Sequence, residues 1–167
     1  MAKLTTLEEK LAEVLGLVQA AQSATEKVEG LVEDEEIAGT LRQMREEAAE
    51  TERRCTEAAD SRDGKKTAIL DKARETRSEA TEMMSTYLGE DADGLDGFEF
   101  LTMAEAGEVG HWAVLGRLSE SAREDRLEEL VDWALSIQER HFSEVKECSL
   151  RLAGEKDPRR VLTEPGS

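Results

Sequence analysis

"MAEAGEVGHWAVLGRLSESAREDRLEELVDWALSIQERHFSEV", residues 103–145, holds both histidines of the chain and its clearest helical periodicity. Leu101, Ala104, Glu108, His111, Leu115, Leu118 and Ala122 recur at alternating intervals of three and four. Val131, Ala134, Gln138, His141, Val145, Cys148 and Leu152 do the same. That spacing places each set on one face of an α-helix. The segment "SESARED" between the two sets permits a tight reversal. The pattern therefore predicts two long helices, about 96–121 and about 123–153, folded back on each other as an antiparallel hairpin.

The rest of the chain carries the same periodicity. Leu4, Leu7, Leu11, Val14, Val18, Ala21 and Val28 predict a helix over about 4–31, capped by Thr5 or Thr6 with Glu8 and Glu9 in its first turn. "VEDEEIAG" interrupts it. Ile37, Leu41, Met44, Ala48, Thr51, Cys55 and Ala58 then mark a second helix over about 35–61. After "DSRDGKK" comes a helix over about 66–88 with a thinner apolar face: Ala68, Ile69, Ala73, Ala80, Met83, Met84, Tyr87 and Leu88. The acidic break "GEDADGLDG" has the composition of a calcium loop. Asp91, Asp93 and Gly94 fall at the wrong offsets for one, which leaves an acidic turn. The only prolines, Pro158 and Pro165, lie beyond the last helix. The expected fold is all-α: a four-helix bundle of two antiparallel hairpins with a helical crossover between them. One domain would span 1–154, and 155–167 would form a flexible tail.

Composition excludes several functions. With 22 Lys and Arg against 39 Asp and Glu, the formal charge is −17. That balance argues against binding a nucleic-acid backbone, which needs clustered cations, and disfavours an anionic membrane surface. The ordinary consequence of that charge is solubility; a basic protein partner is the sharper one. No apolar run approaches the ~20 residues that span a bilayer. "MAKLTTLEEKLAEVL" has acids where a secretory signal would be continuously apolar. Cys55 and Cys148 form no CxxC pair, and together these features predict a reduced, cytoplasmic chain. No GxSxG, P-loop or GxGxxG stretch is present, so nucleophilic or nucleotide chemistry has no support.

The polar residues inside the apolar stripes carry the functional question, because a buried carboxylate without a partner is costly. If the last two helices reverse near residue 121, Glu105 and Gln138 fall at the same height. Glu108 and His141 lie within about one turn of them, whereas His111 and His141 are ~13 Å apart along the axis. The two histidines are thus not expected to serve one ion. In the first hairpin, Glu47 and Glu50 fall at the height of Gln19 and Gln22. Each residue also has a bland reading. The histidines could be core-edge groups hydrogen-bonded to neighbours, Glu47 and Glu50 a solvated face, and the two cysteines buried free thiols.

This layout resembles the ferritin-like di-iron carboxylate superfamily, above all its small bacterial stress-associated members. In those bundles one Glu comes from each of two helices and a Glu-x-x-His from each of the other two. Here Glu108-Val-Gly-His111 keeps the motif, Gln138-Glu-Arg-His141 has Gln in the Glu position, and Glu47-Ala-Ala-Glu50 has no His. The resemblance implies a bundle that binds iron or another divalent transition metal, linked to iron handling or oxidative stress. Glu108, His111 and His141 would be its principal ligands, with Glu105, Glu47 and Glu50 supporting them. The departures leave a degenerate site, a single ion or no ion open. The alternative is a metal-free interaction or stress protein on the same scaffold, working as a homo-oligomer or with a protein partner, its polar residues forming a buried hydrogen-bond network.

Overall fold

Side chains that can satisfy free backbone N–H groups set where most of the helices begin. In the computed structural model, which describes residues 2–162, Thr5 caps α1 (Thr6–Glu29). Its hydroxyl accepts from the Glu8 N–H, and the Glu8 carboxylate accepts from the Thr5 N–H. Asp34 caps α2 (Glu35–Asp60) by accepting from the N–H groups of Glu36 and Ile37. α3 (Lys66–Tyr87) has no side-chain cap. Asp93 and Asp96 form a reciprocal box at the start of α4 (Gly94–Ala122). This box uses the acidic break as a helix start and begins α4 two residues earlier than the periodicity predicts. Arg123, in the left-handed region at φ 55°, closes α4 and turns the chain into α5 (Asp125–Gly154). Gly64 does the comparable work before α3 at φ 68°, a conformation that glycine adopts without cost.

The described residues are all-α, arranged as the expected two hairpins, α1–α2 and α4–α5. α3 links them by running back along α1, in the same direction as α1. Lys65, at the head of α3, pairs with Glu8 at 2.8 Å. Ala73 and Arg77 face Gly16, where any side chain would strike the Ala73 carbonyl. α4 returns against α1 in the opposite sense: Gly97 abuts Val28, and His111 lies beside Lys10. Arg54 of α2 stacks over Trp133 of α5, 3.9 Å from the ring centre, tying the hairpins together.

Two apolar clusters fill the bundle. One gathers Leu7, Leu11, Leu15, Ile69, Trp112, Leu115 and Val131; the other gathers Val28, Ile37, Leu41, Phe98, Leu101 and Val145. Between them, near mid-height, lies a layer of buried polar groups: Thr51, Glu105, Glu108, Gln138 and His141. The second half of α3 leaves the core, with Met83 and Tyr87 exposed at 53% and 59%. Beyond α5, residues 155–162 are exposed and turn-rich, and Lys156 pairs with Asp93. The remainder of the expected tail, residues 163–167, lies outside the described residues.

Candidate functional site

On α4 the buried stripe runs Phe98, Leu101, Glu105, Glu108, Trp112, Leu115 and Ser119. It shares Leu101, Glu108 and Leu115 with the stripe that carries His111, but takes Glu105, Trp112 and Ser119 in place of Ala104, His111 and Leu118. The exchange follows from size: burying Phe98 and Trp112 removes far more apolar area from water than burying Ala104 and His111 would. Glu105 thereby becomes a core residue, 1% exposed, with Glu108 beside it at 5%. His111 moves to the edge. Its Nδ1 sits 3.2 Å from Lys10 Nζ and 3.5 Å from a Glu13 oxygen. Burial and the nearby Lys10 lower its pKa, against the opposing pull of Glu13.

The heights read from residue numbers hold for the second hairpin. Gln138 Nε2 donates to Glu105 Oε2. His141, 3% exposed, lies between two carboxylates on different helices. Its Nε2 is 3.5 Å from Glu47 Oε1, and its Nδ1 is 4.0 Å from Glu105 Oε2. Glu47 also accepts from Arg140. The site is therefore a string, Arg140–Glu47–His141–Glu105–Gln138, running from α2 across to α4, with Glu108 next to Glu105 but outside it.

The electrostatics differ along the string. Burial resists ionisation of Glu47, but the hydrogen bond from Arg140 and the neighbouring imidazole outweigh it and hold Glu47 below the usual carboxylate range. Burial depresses His141 despite Glu47. Glu105 is raised well above its ordinary value by burial and by the charge of Glu108, although Gln138 pulls the other way. Glu108, with burial acting alone, is pushed up to about 8. Two adjacent desolvated carboxyls do not both ionise readily.

Glu50 does not join this site. It is half-exposed and is held by Arg53 and Arg54, whose hydrogen bonds take its pKa down to about 2. Of the six candidate ligands, the fold thus brings together Glu47, Glu105, Glu108 and His141, and keeps Glu50 and His111 apart from them. Gln19 and Gln22 both donate to Glu52 rather than to Glu47 or Glu50. Sequence reasoning passed over Arg140 and Glu52. Arg140 offers no signal beyond its adjacency to His141, whereas Glu52 lies within about a turn of the height of Gln19. The free thiol of Cys55 is buried and its pKa is raised by burial; Arg54 is turned onto Trp133.

The donor set does not fit a dinuclear carboxylate centre. The guanidinium of Arg140 holds Glu47, the amide of Gln138 holds Glu105, and one imidazole serves where two are required. Among the described residues no three His, Cys, Asp or Glu side chains converge as a metal-holding group. What the string can do is share protons and charge among three helices, α2, α4 and α5, of the two hairpins, with an unpartnered carboxyl at one side.

No family model matches the chain, and no curated protein matches it. Among solved structures it is similar to the E. coli stress protein YciF, with a TM-score of 0.68 and 13% identity over 90% of this chain and 96% of YciF. That similarity shows the bundle fold. No helix among the described residues is long and apolar enough to cross a membrane.

Proposed function

We propose that the chain is a stress-associated bundle of ferritin-like architecture that works without enzymatic turnover. In this reading a hydrogen-bonded polar network occupies the level where related architectures hold metal. The observation that carries it is that both carboxylates flanking His141 already have donors: Glu47 accepts from Arg140 and lies 3.5 Å from His141 Nε2, and Glu105 accepts from Gln138, with His141 Nδ1 4.0 Å away, beyond hydrogen-bond reach. A network satisfied in this way is stable without an ion and fixes the register of α2 against α5. Its fold similarity to the E. coli stress protein YciF supports the stress association. Loss of survival under oxidant in a deletion strain is the expected phenotype.

A second reading is favoured by Glu108 alone. Its carboxyl is buried beside Glu105 and has no hydrogen-bond donor among the described residues, which is the kind of group a cation relieves. Here one divalent ion, iron or another transition metal, would have to draw together Glu105, Glu108 and His141, which do not converge on one point as they stand. Those residues would bind and orient the ion, which when bound would supply Lewis acidity or redox chemistry. Metal analysis of protein purified without chelator and then loaded anaerobically with Fe²⁺ separates the two. Less than about 0.2 equivalents supports the closed network. About one equivalent, lost in Glu108→Gln and in His141→Ala, supports the ion.

A further inference from the structure

α3 and α4 both lie along α1 but scarcely meet each other. Between them is a cleft of about 570 Å³, within the size range of small-molecule sites. Its floor is made of small α1 side chains, Ala20, Ala21 and Ala24, and its α3 wall includes Met83 and Met84. Methionines adapt to irregular apolar shapes, and Met83 is already half in solvent. On the α4 wall the lining contains Glu105 and Glu108. Glu105 is engaged by Gln138. Glu108 is not engaged: it is 5% exposed, it opens onto the cleft, and burial alone shapes its electrostatics. The other ionisable groups of the lining are Glu13, Glu79, Lys72 and His111; Glu13 already accepts from Lys10 and Lys72 pairs with Glu75 at 3.0 Å.

An apolar cleft with one buried, unpartnered carboxyl in its wall selects its ligand by charge. A purely apolar molecule would leave that carboxyl desolvated and unsatisfied. An anion would place negative charge beside a carboxyl pair whose ionisation burial already opposes. An ammonium group would favour the ionised form of Glu108 and donate a charge-assisted hydrogen bond to it, while the formal charge of −17 concentrates cations around the molecule. We propose that this cleft binds an amphiphilic amine, its apolar body against the alanines and methionines and its ammonium donated to Glu108. The proposal rests on neither reading of the His141 string.

Calorimetric titration of the full chain in EDTA with n-octylamine, n-octanol and n-octanoate tests it. The amine binds about tenfold or more tighter than the alcohol, as a buried charge-assisted hydrogen bond predicts, and the carboxylate binds weakest. Glu108→Gln brings the amine down to the affinity of the alcohol. Ala80→Phe, which fills the cleft from a half-buried position on α3, removes binding of all three. An amine no tighter than octanol, a preference that survives Glu108→Gln, binding that survives Ala80→Phe, or no binding by any probe overturns the proposal. Because EDTA strips a divalent ion and leaves an amine, failure here is distinct from failure of the metal reading.

Discussion

Glu108 and Glu105 set the chemistry of the bundle interior more than the histidines do. A carboxyl whose folded pKa is raised binds its proton more tightly in the folded state, so it adds stability at low pH. That stability drains away as pH rises through the folded value. For Glu108 the window runs from the ordinary value of 4.5 up to about 8, and Glu105 is raised in the same direction. The wild-type melting temperature should therefore fall between pH 5 and pH 8. Glu108→Gln should flatten that slope and gain roughly 1–3 kcal/mol at the upper end, read by calorimetry across pH. Arg140 acts in the opposite sense on its neighbour: its charge lowers the pKa of His141. Arg140→Gln removes that repulsion and frees Glu47 to bond the imidazole, so the His141 pKa should rise while that of His111 stays. With two histidines in the chain, proton NMR titration resolves both, and an unmoved His141 would refute the coupling.

Among the elements, α3 is the one whose place depends most on a single residue. Gly16 lets the α3 backbone come into contact with α1, and an added Cβ would collide with the Ala73 carbonyl and crowd Thr76. In a helix interior Ala is otherwise better than Gly by about 1 kcal/mol, so propensity and packing oppose each other here. The obstacle is backbone and cannot rotate away, so packing wins. Gly16→Ala should cost about 1–3 kcal/mol. Hydrogen exchange should show that the loss is concentrated in α3, with α4 and α5 protected as before. A stabilised Gly16→Ala variant would mean that α3 is free to shift along α1. The same element leaves Met83 and Tyr87 uncovered at its far end, beside the cleft.

For the whole molecule, charge is the dominant surface term. Exposed pairs such as Arg53–Glu57 and Arg117–Glu120 contribute little, because water screens them and holding two long side chains together costs entropy. Screening them loses little, whereas the formal charge of −17 repels itself throughout. Raising NaCl from about 0.02 M to about 0.3 M should therefore raise the melting temperature by a few degrees, because the Debye length falls well below the bundle diameter. A melting temperature that falls with salt would show that the ion pairs outweigh the self-repulsion.

The all-α class, five helices, their approximate ends and the two hairpins are legible in the spacing of apolar residues, because helical periodicity and capping are local. The shared height of Glu105 and Gln138 is legible too, since a tight reversal with a fixed rise per residue converts numbering into position. The rotation of α4 about its axis is not. Two interleaved stripes, one with Glu105 and Trp112 and one with His111, both satisfy the spacing; packing against α1 and α5 buries Trp112 and so sends Glu105 inward and His111 to the edge. The meeting of Glu47 with His141 and Arg140 lies further from the sequence. It joins two hairpins across 93 and 94 residues, and no local rule sets how one hairpin slides or turns against the other. The cleft is of the same kind: it exists because α3 and α4 share α1 as a support and scarcely meet beyond the Tyr87–Phe100 ring pair, a fact of packing that neither helix encodes alone.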